Sequence, residues 1–127
     1  MTTVTSDSEN IIIEMEGIDK ILALKSHLKI PINHISSVSQ NTKDAKKWLG
    51  IKGIKKIAGS NLPGIISEGT FYDNEMVFLE IHHPEKTISI FLKDEKYKEI
   101  IIEVNNANQI INDINRLINK HPFNKNI

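Results

Sequence analysis

The histidines and the glutamate near residue 82 have the types and the spacing that could do chemistry. Glu80, His82 and His83 lie together at the end of an apolar run, and His34 lies earlier in the chain. Imidazole and carboxylate are both zinc ligands, and strand alternation would place Glu80 and His82 on the same face. Since neighbouring residues of a strand point to opposite faces, His82 and His83 cannot both bind one ion without a bulge. We therefore expect a strand end that enters a turn at Pro84, and no metal site.

Residues that could form a hydrolytic triad are scattered along the chain: Ser67, Ser89, Asp19, Asp73 and His34. No Gly-x-Ser-x-Gly motif accompanies them. The chain has no Cys, which excludes disulfides, thiol catalysis and Cys-ligated metal centres. We therefore expect a protein that is not an enzyme and that uses no cofactor.

A lysine-rich segment surrounds the one tryptophan. Such a segment could contact an anionic partner or a membrane surface, and Trp is enriched in protein interfaces. The alternative is a solvated segment whose Trp covers the core, because runs of charge usually face water. The sequence predicts an interaction surface formed by Lys43, Lys46, Lys47, Trp48, Lys52, Lys55 and Lys56.

A loop with Gly and Pro lies between two apolar runs and consists of Asn61, Leu62, Pro63 and Gly64. Gly-rich loops bind phosphate when they open a helix, but a β pattern follows this one. The favoured interpretation is that the glycines, with Gly69 beyond them, permit tight turns and close approach of the backbone. The alternative is a loop that shapes a groove for a small ligand or a peptide.

Length and charge exclude several classes of protein. The chain has 127 residues, with 16 basic and 16 acidic side chains and a net charge of zero. This is the size of one domain, and a nucleic-acid binder would need a basic excess. No apolar run approaches the roughly 20 residues of a membrane span, and residues 1–9 lack the pattern of a signal peptide. We therefore expect a cytoplasmic domain without a transmembrane segment.

Seven segments have the pattern of β-strands. The apolar residues of 18–25 cover both faces, which is typical of a covered strand, although a buried helical turn is the alternative. The last three strands would form a consecutive meander. The predicted strands are 11–16, 18–25, 32–39, 65–72, 76–83, 87–93 and 98–104.

Two segments have helical spacing. Residues 42–49 would begin at Thr42 as the cap and end at Gly50. Residues 107–119 have an apolar stripe of Ile and Leu, with Asn106 as the cap and Gln109 completing a capping-box-like pair. The segment 51–64 has no clean period and is predicted to be a long connection. We expect disordered tails at 1–9 and 120–127.

The order of these elements predicts a single, mainly β (α+β) domain over residues 10–119. About seven antiparallel strands would form two orthogonal sheets as a partly open barrel. The C-terminal amphipathic helix would close one end of the barrel with its apolar stripe.

Three stretches carry a resemblance to a known family: Glu-Gly-Ile-Asp at 16–19, Ile-Pro-Ile-Asn-His-Ile at 30–35, and Gly-Ser-Asn-Leu-Pro-Gly at 59–64 with Gly-Thr-Phe at 69–71. Over about residues 10–119 the chain resembles a family of uncharacterised bacterial proteins with a pleckstrin-homology-like (PH-like) domain. The resemblance implies the barrel architecture and supplies no active site.

These observations together favour a non-enzymatic binding module that acts through protein contacts, with another protein or as a homo-oligomer. The first alternative is peripheral binding to an anionic membrane or ligand through the Lys-rich segment 43–56. The resemblance implies that phosphoinositide would bind at basic residues around the first hairpin, which here is 14–19. Phosphoinositide binding is disfavoured, because this hairpin contains Glu14, Glu16 and Asp19. The third hypothesis is a metal-binding protein or enzyme that uses Glu80, His82 or His34.

Overall fold

Two β-sheets and three α-helices form the part of the chain that the computed structural model describes, residues 2–50 and 55–120. Two short 3-10 helices, Ile32–His34 and Pro84–Lys86, connect elements. In chain order the elements are β1 (Thr2–Ser6), β2 (Asn10–Met15), α1 (Ile18–Ala23), β3 (His27–Pro31), β4 (Ile35–Ser39), α2 (Thr42–Gly50), β5 (Lys55–Leu62), β6 (Ile66–Asp73), β7 (Glu75–Ile81), β8 (Thr87–Leu92), β9 (Glu99–Glu103) and α3 (Ala107–Lys120).

The smaller sheet is antiparallel and has the order β1-β2-β3. Its first strand corrects the prediction of a disordered tail over 1–9. Val4 of β1 pairs with Ile13 of β2, and Thr2 pairs with Met15. Three threonines and a valine make β1 rich in β-branched residues, which suit a pleated surface. The tail prediction failed because the hydrophobic partner of β1 lies in β2, outside the short segment itself.

The larger sheet has six strands in the order β4-β8-β9-β7-β6-β5. The predicted strands 65–72, 76–83, 87–93 and 98–104 are confirmed as β6 to β9, but the predicted meander is wrong. β9 inserts between β7 and β8 and pairs with β7 in parallel, from Val77 opposite Glu99 to Glu80 opposite Ile102. The strands in the described ranges therefore form two sheets and no closed barrel, and the wholly antiparallel arrangement that was predicted is wrong at the β7–β9 pair. The centre of the larger sheet is buried on both faces, which explains the continuous Ile run of β9.

The segment predicted as a second strand is the helix α1. Gly17 before it has φ 62° and Leu24 after it has φ 57°, so the backbone turns at both ends. Ile18, Ile21 and Leu24 are 65%, 64% and 69% exposed. The apolar residues suggested a covered strand, but Ile18 and Ile21 lie on an exposed helix face, and Leu24, which follows the helix, is also exposed.

The predicted strand 32–39 is also different. Its first residues form a 3-10 helix, and only Ile35–Ser39 is a strand. Pro31, predicted to break the chain, is the last residue of β3. The segment 51–64, predicted to be irregular, contains the edge strand β5. An edge strand tolerates the Gly and Asn residues that hid its pattern.

Both predicted helices are confirmed, with one change of cap. Asn41 rather than Thr42 caps the N-terminus of α2, because its Oδ1 accepts a hydrogen bond from the Asp44 backbone N–H at 3.1 Å. In α3 the Asn106 carbonyl accepts the bond from Ile110 N at 3.0 Å, while the Gln109 side chain donates to Asp113 instead of completing a capping box. The predicted tail 120–127 begins inside α3, and its residues 121–127 lie outside the described residues.

The larger sheet separates two hydrophobic cores. One lies against the small sheet and α3 and includes Phe78, Ile100 and Ile114. The other lies against α2 and includes Leu79 and Ile101. Consecutive residues of β7 and β9 therefore enter opposite cores, as strand alternation requires.

Candidate metal centre

Four side chains with metal-ligating atoms converge where α1 packs on the larger sheet. They are Asp19, Glu68, Glu80 and His82, and their ligand atoms all lie within 4.8 Å of one another. Asp19 comes from α1, Glu68 from β6 and Glu80 from β7, and His82 follows the last residue of β7. Three separate segments of the chain thus meet at one point.

The pairing of β6 with β7 positions most of this cluster. Glu68 lies directly opposite Glu80 in the antiparallel register, so their side chains share a face. Strand alternation places His82 on the face of Glu80, as the sequence predicted. The helix α1 packs on β5, β6 and β7 and brings Asp19 to the same face.

The distances suit a coordination shell. Nε2 of His82 lies 2.9 Å from Oε1 of Glu68, 3.2 Å from Oδ1 of Asp19 and 3.9 Å from Oε2 of Glu80. Ligand atoms about 2.1 Å from a metal stand roughly 3.0 Å apart along an octahedral edge and roughly 3.4 Å apart along a tetrahedral edge. A first-row divalent ion therefore fits among these four groups with small adjustments of the side chains.

The carboxylates of the cluster are withdrawn from water. Glu68 is 0% exposed, Glu80 is 1% exposed and Asp19 is 5% exposed. The side chain of His82 is 30% exposed and forms the solvent side of the cluster. Buried carboxylates are costly unless they are paired or bind a metal. Among residues 2–50 and 55–120, Oε2 of Glu68 has no hydrogen-bond partner.

Burial changes the ionisation of two of these groups. Burial, together with the negative charge of Glu103, raises the pKa of Glu68 to about 7. Burial also raises the pKa of Glu80 to about 7. The negative charges of Glu68 and Glu103 raise this pKa too, whereas the hydrogen bond from Thr2 lowers it. Carboxyl groups that ionise near pH 7 beside an imidazole can exchange protons with it, and a divalent cation can replace those protons.

A second set of contacts orients the ligands. The Thr2 hydroxyl of β1 donates a hydrogen bond to Oε1 of Glu80. Glu103 at the end of β9 accepts bonds from the backbone N–H groups of His82 and His83 and contacts Nδ1 of His83 at 3.0 Å. Burial alone would raise the pKa of Glu103, but these hydrogen bonds hold it below its usual value. Thr2 and Glu103 therefore fix both ends of the Glu80–His82 segment.

In the interaction surface that was predicted around Trp48, the tryptophan itself is buried. Trp48 is 6% exposed and packs in the core beneath α2, so it cannot anchor a surface contact. The predicted lysines with described side chains are exposed, and they are Lys43, Lys46, Lys47 and Lys56. Lys52 and the side chain of Lys55 lie outside the described residues.

The predicted loop is the turn between β5 and β6. Nδ2 of Asn61 donates to Oγ of Ser67 at 2.8 Å. Leu62, Pro63 and Gly64 are exposed, and Gly64 has φ 81°, which permits the turn. The positive φ of Gly64 agrees with the tight-turn interpretation, and the groove-shaping alternative stays a prediction. His34, the other histidine considered for chemistry, pairs with Glu95 rather than with the cluster.

Sequence reasoning found Glu80 and His82 but missed the other two ligands and predicted no metal site. Glu68 had a signal, since it is a carboxylate in the interior of a predicted strand whose hairpin partner contains Glu80. Asp19 had no such signal in the sequence. Its segment was predicted to be a strand, whereas its approach to β6 and β7 depends on the helix α1.

Comparisons with known proteins returned no relative. Neither a protein-family model, nor a curated protein, nor a solved structure matches the chain.

In the described residues, every helix is too short or too polar to cross a membrane.

Proposed function

We propose that this protein binds a divalent transition-metal ion of the Mn²⁺, Fe²⁺ or Zn²⁺ class through Asp19, Glu68, Glu80 and His82. The observation that carries this proposal is the convergence of three buried carboxylates on one imidazole nitrogen. Carboxylate oxygen suits the harder of these ions and imidazole suits the softer ones, so the mixed set favours divalent ions of the first transition row over Cu⁺ or Ca²⁺.

The competing explanation is a network that shares protons and binds no ion. A single Nε2–H of His82 can satisfy only part of the demand of three carboxylates. Such a network leaves Oε2 of Glu68 without a partner among the described residues, and an unsatisfied buried oxygen costs about 1–3 kcal/mol. A divalent cation would compensate both the charge and the unsatisfied oxygen, which supports the metal proposal over the proton network.

Equilibrium dialysis with elemental analysis tests the proposal. We expect the wild-type protein to bind one Mn²⁺ or Zn²⁺ per chain, and His82→Ala and Glu68→Gln to weaken that binding by a factor of at least about 100, since each loses a ligand. His27→Ala, which removes an exposed imidazole outside the cluster, is the matched control and should bind like wild type. Absence of stoichiometric binding, or equal binding by a folded His82→Ala protein, would rule the proposal out.

A second candidate function is contact with a protein partner or a second copy of the chain. It is favoured by apolar side chains on α1 and the β5–β6 turn that are more than half exposed, namely Ile18, Ile21, Leu24, Leu62 and Ile65. Native mass spectrometry tests self-association: Ile21→Asp should dissociate a dimer, and a monomeric wild type would exclude one.

The alternative of an anionic partner rests on α2, where Lys43, Lys46 and Lys47 share one exposed face at helical spacing. Salt-sensitive co-sedimentation with phosphatidylserine vesicles, lost in Lys46→Glu, would support it. A PH-like relationship remains a prediction. The two sheets and the closing helix agree with its outline, whereas the parallel β7–β9 pair departs from an antiparallel barrel.

A further inference from the structure

The helix α1 contributes Asp19 to the metal centre, but few apolar contacts hold it in place. Its buried residues are Asp19 and Ala23, Leu22 is half-buried, and Ile18 and Ile21 face solvent. A helix of six residues is far below the roughly 12–15 residues that persist alone in water. The position of α1 therefore depends on tertiary contacts, and one alanine with a half-buried leucine provides only modest hydrophobic stabilisation.

Polar contacts connect α1 to the larger sheet. Oγ of Ser60 in β5 donates to the carbonyl of Leu22 at 2.9 Å. Oδ1 of Asp19 lies 3.2 Å from Nε2 of His82. Both ends of α1 have backbone in the left-handed region, at Gly17 and at Leu24, and the N-terminal end has no side-chain cap. Local opening of such a segment requires less free energy than global unfolding.

We infer that metal binding locks α1 onto the six-stranded sheet, so that occupancy of the centre controls the order of this helix. The inference rests on the proposed function. Three of the four ligands belong to the rigid β6–β7 hairpin and its end, and the fourth belongs to α1. Opening of α1 would remove Asp19 from the ion, so the ion binds the closed form more tightly and shifts the population toward it. The coupling is reciprocal, because closing of α1 completes the site.

Metal binding to the centre would also affect an exposed apolar surface. Ile18 and Ile21 form the outer face of α1, and Leu24 directly after it is also exposed, so these side chains move with the helix. The metal therefore determines whether this apolar face is held in a fixed orientation.

Hydrogen exchange measured by mass spectrometry on the full chain tests the inference, with Mn²⁺ as the probe at a concentration that dialysis shows to be saturating. We expect amides of residues 18–24 to exchange at least tenfold more slowly with Mn²⁺, and amides of the buried strand β9 to remain unchanged. Ser60→Ala should accelerate exchange of 18–24 without metal, and Mn²⁺ should restore protection. Asp19→Asn, saturated with Mn²⁺ at a higher concentration, should show no protection of 18–24.

The outcomes separate the two proposals. If Mn²⁺ binds but exchange of residues 18–24 does not change, the inference is wrong and the metal centre stands. If saturated Asp19→Asn still protects the helix tenfold, the coupling does not pass through Asp19 and the inference is equally wrong. If dialysis shows no bound metal, the proposed function itself fails.

Discussion

At the scale of single residues, the buried carboxylates dominate the chemistry of this protein. Glu68 and Glu80 have raised pKa values. Glu99, which lies outside the metal centre, is a third carboxylate of this kind. Burial raises its pKa to about 8, and the neighbouring carboxylate of Asp44 adds to the effect. In the unfolded chain a glutamate ionises near its ordinary value, so the folded state binds more protons between that pH and about 8. Glu99 therefore stabilises the fold least at high pH.

Glu99→Gln should increase the free energy of unfolding by about 1–3 kcal/mol at pH 8, because the amide remains neutral. The gain should shrink toward zero at pH 5, where Glu99 is protonated. Urea denaturation at the two pH values measures the difference, and Glu75→Gln at an exposed carboxylate serves as the control. A gain that is equal at both pH values would contradict the assigned ionisation.

Thr2 supports the metal centre by holding Glu80 from outside it. Removal of such a supporting contact typically lowers metal affinity by about 10–100-fold. We expect Thr2→Val to weaken Mn²⁺ binding by about tenfold and Thr2→Ser to retain it, because serine keeps the hydroxyl. Isothermal titration measures both variants. Similar affinities for the valine and serine variants would show that the hydroxyl has no positioning role.

At the scale of elements, two glycines permit β5 and β6 to approach closely. Gly59 and Gly69 are cross-strand partners. A Cβ built on Gly69 would lie 2.1 Å from the carbonyl oxygen of Ala58, and one built on Gly59 would lie 2.0 Å from that of Glu68. Both residues have positive φ values, 135° for Gly59 and 125° for Gly69. These two glycines therefore allow β5 to pair with β6 beside Glu68.

Gly69→Ala should destabilise the protein by about 3 kcal/mol or more, because the clash is with backbone and the φ is unfavourable. Gly50→Ala is the matched control, since a Cβ there has open space, and it should change stability by less than about 0.5 kcal/mol. Thermal denaturation of both variants provides the comparison. A Gly69→Ala protein as stable as the control would refute the close approach.

The sequence predicted elements well where an apolar helical stripe or a β-rich run extended over a whole segment, as in α3 and in β6 to β9. It failed at α1, because exposed Ile and Leu imitate a buried strand, and at β5, because glycines interrupt the alternation. The strand order could not be read from the chain. A parallel β7–β9 pair depends on contacts distant in sequence, and the same limitation hid Asp19 and Glu68 as partners of His82.

At the scale of the whole molecule, the metal centre joins both sheets. Glu68, Glu80 and His82 belong to the larger sheet and its end, and Thr2 belongs to the smaller one. An ion that binds only the folded chain stabilises it by about 2.7 kcal/mol at 100 times its dissociation constant. We expect Mn²⁺ at that excess to raise Tm by roughly 10 °C and to leave the Tm of His82→Ala unchanged. Differential scanning calorimetry measures both, and an equal rise in the variant would place the effect elsewhere.

The most direct test of the metal centre is anomalous diffraction from crystals of the wild-type protein grown with Mn²⁺. We expect one strong anomalous peak about 2.0–2.4 Å from donor atoms of Asp19, Glu68, Glu80 and His82. A map with no peak among these four side chains, from crystals that contain Mn²⁺ at saturating concentration, would contradict it.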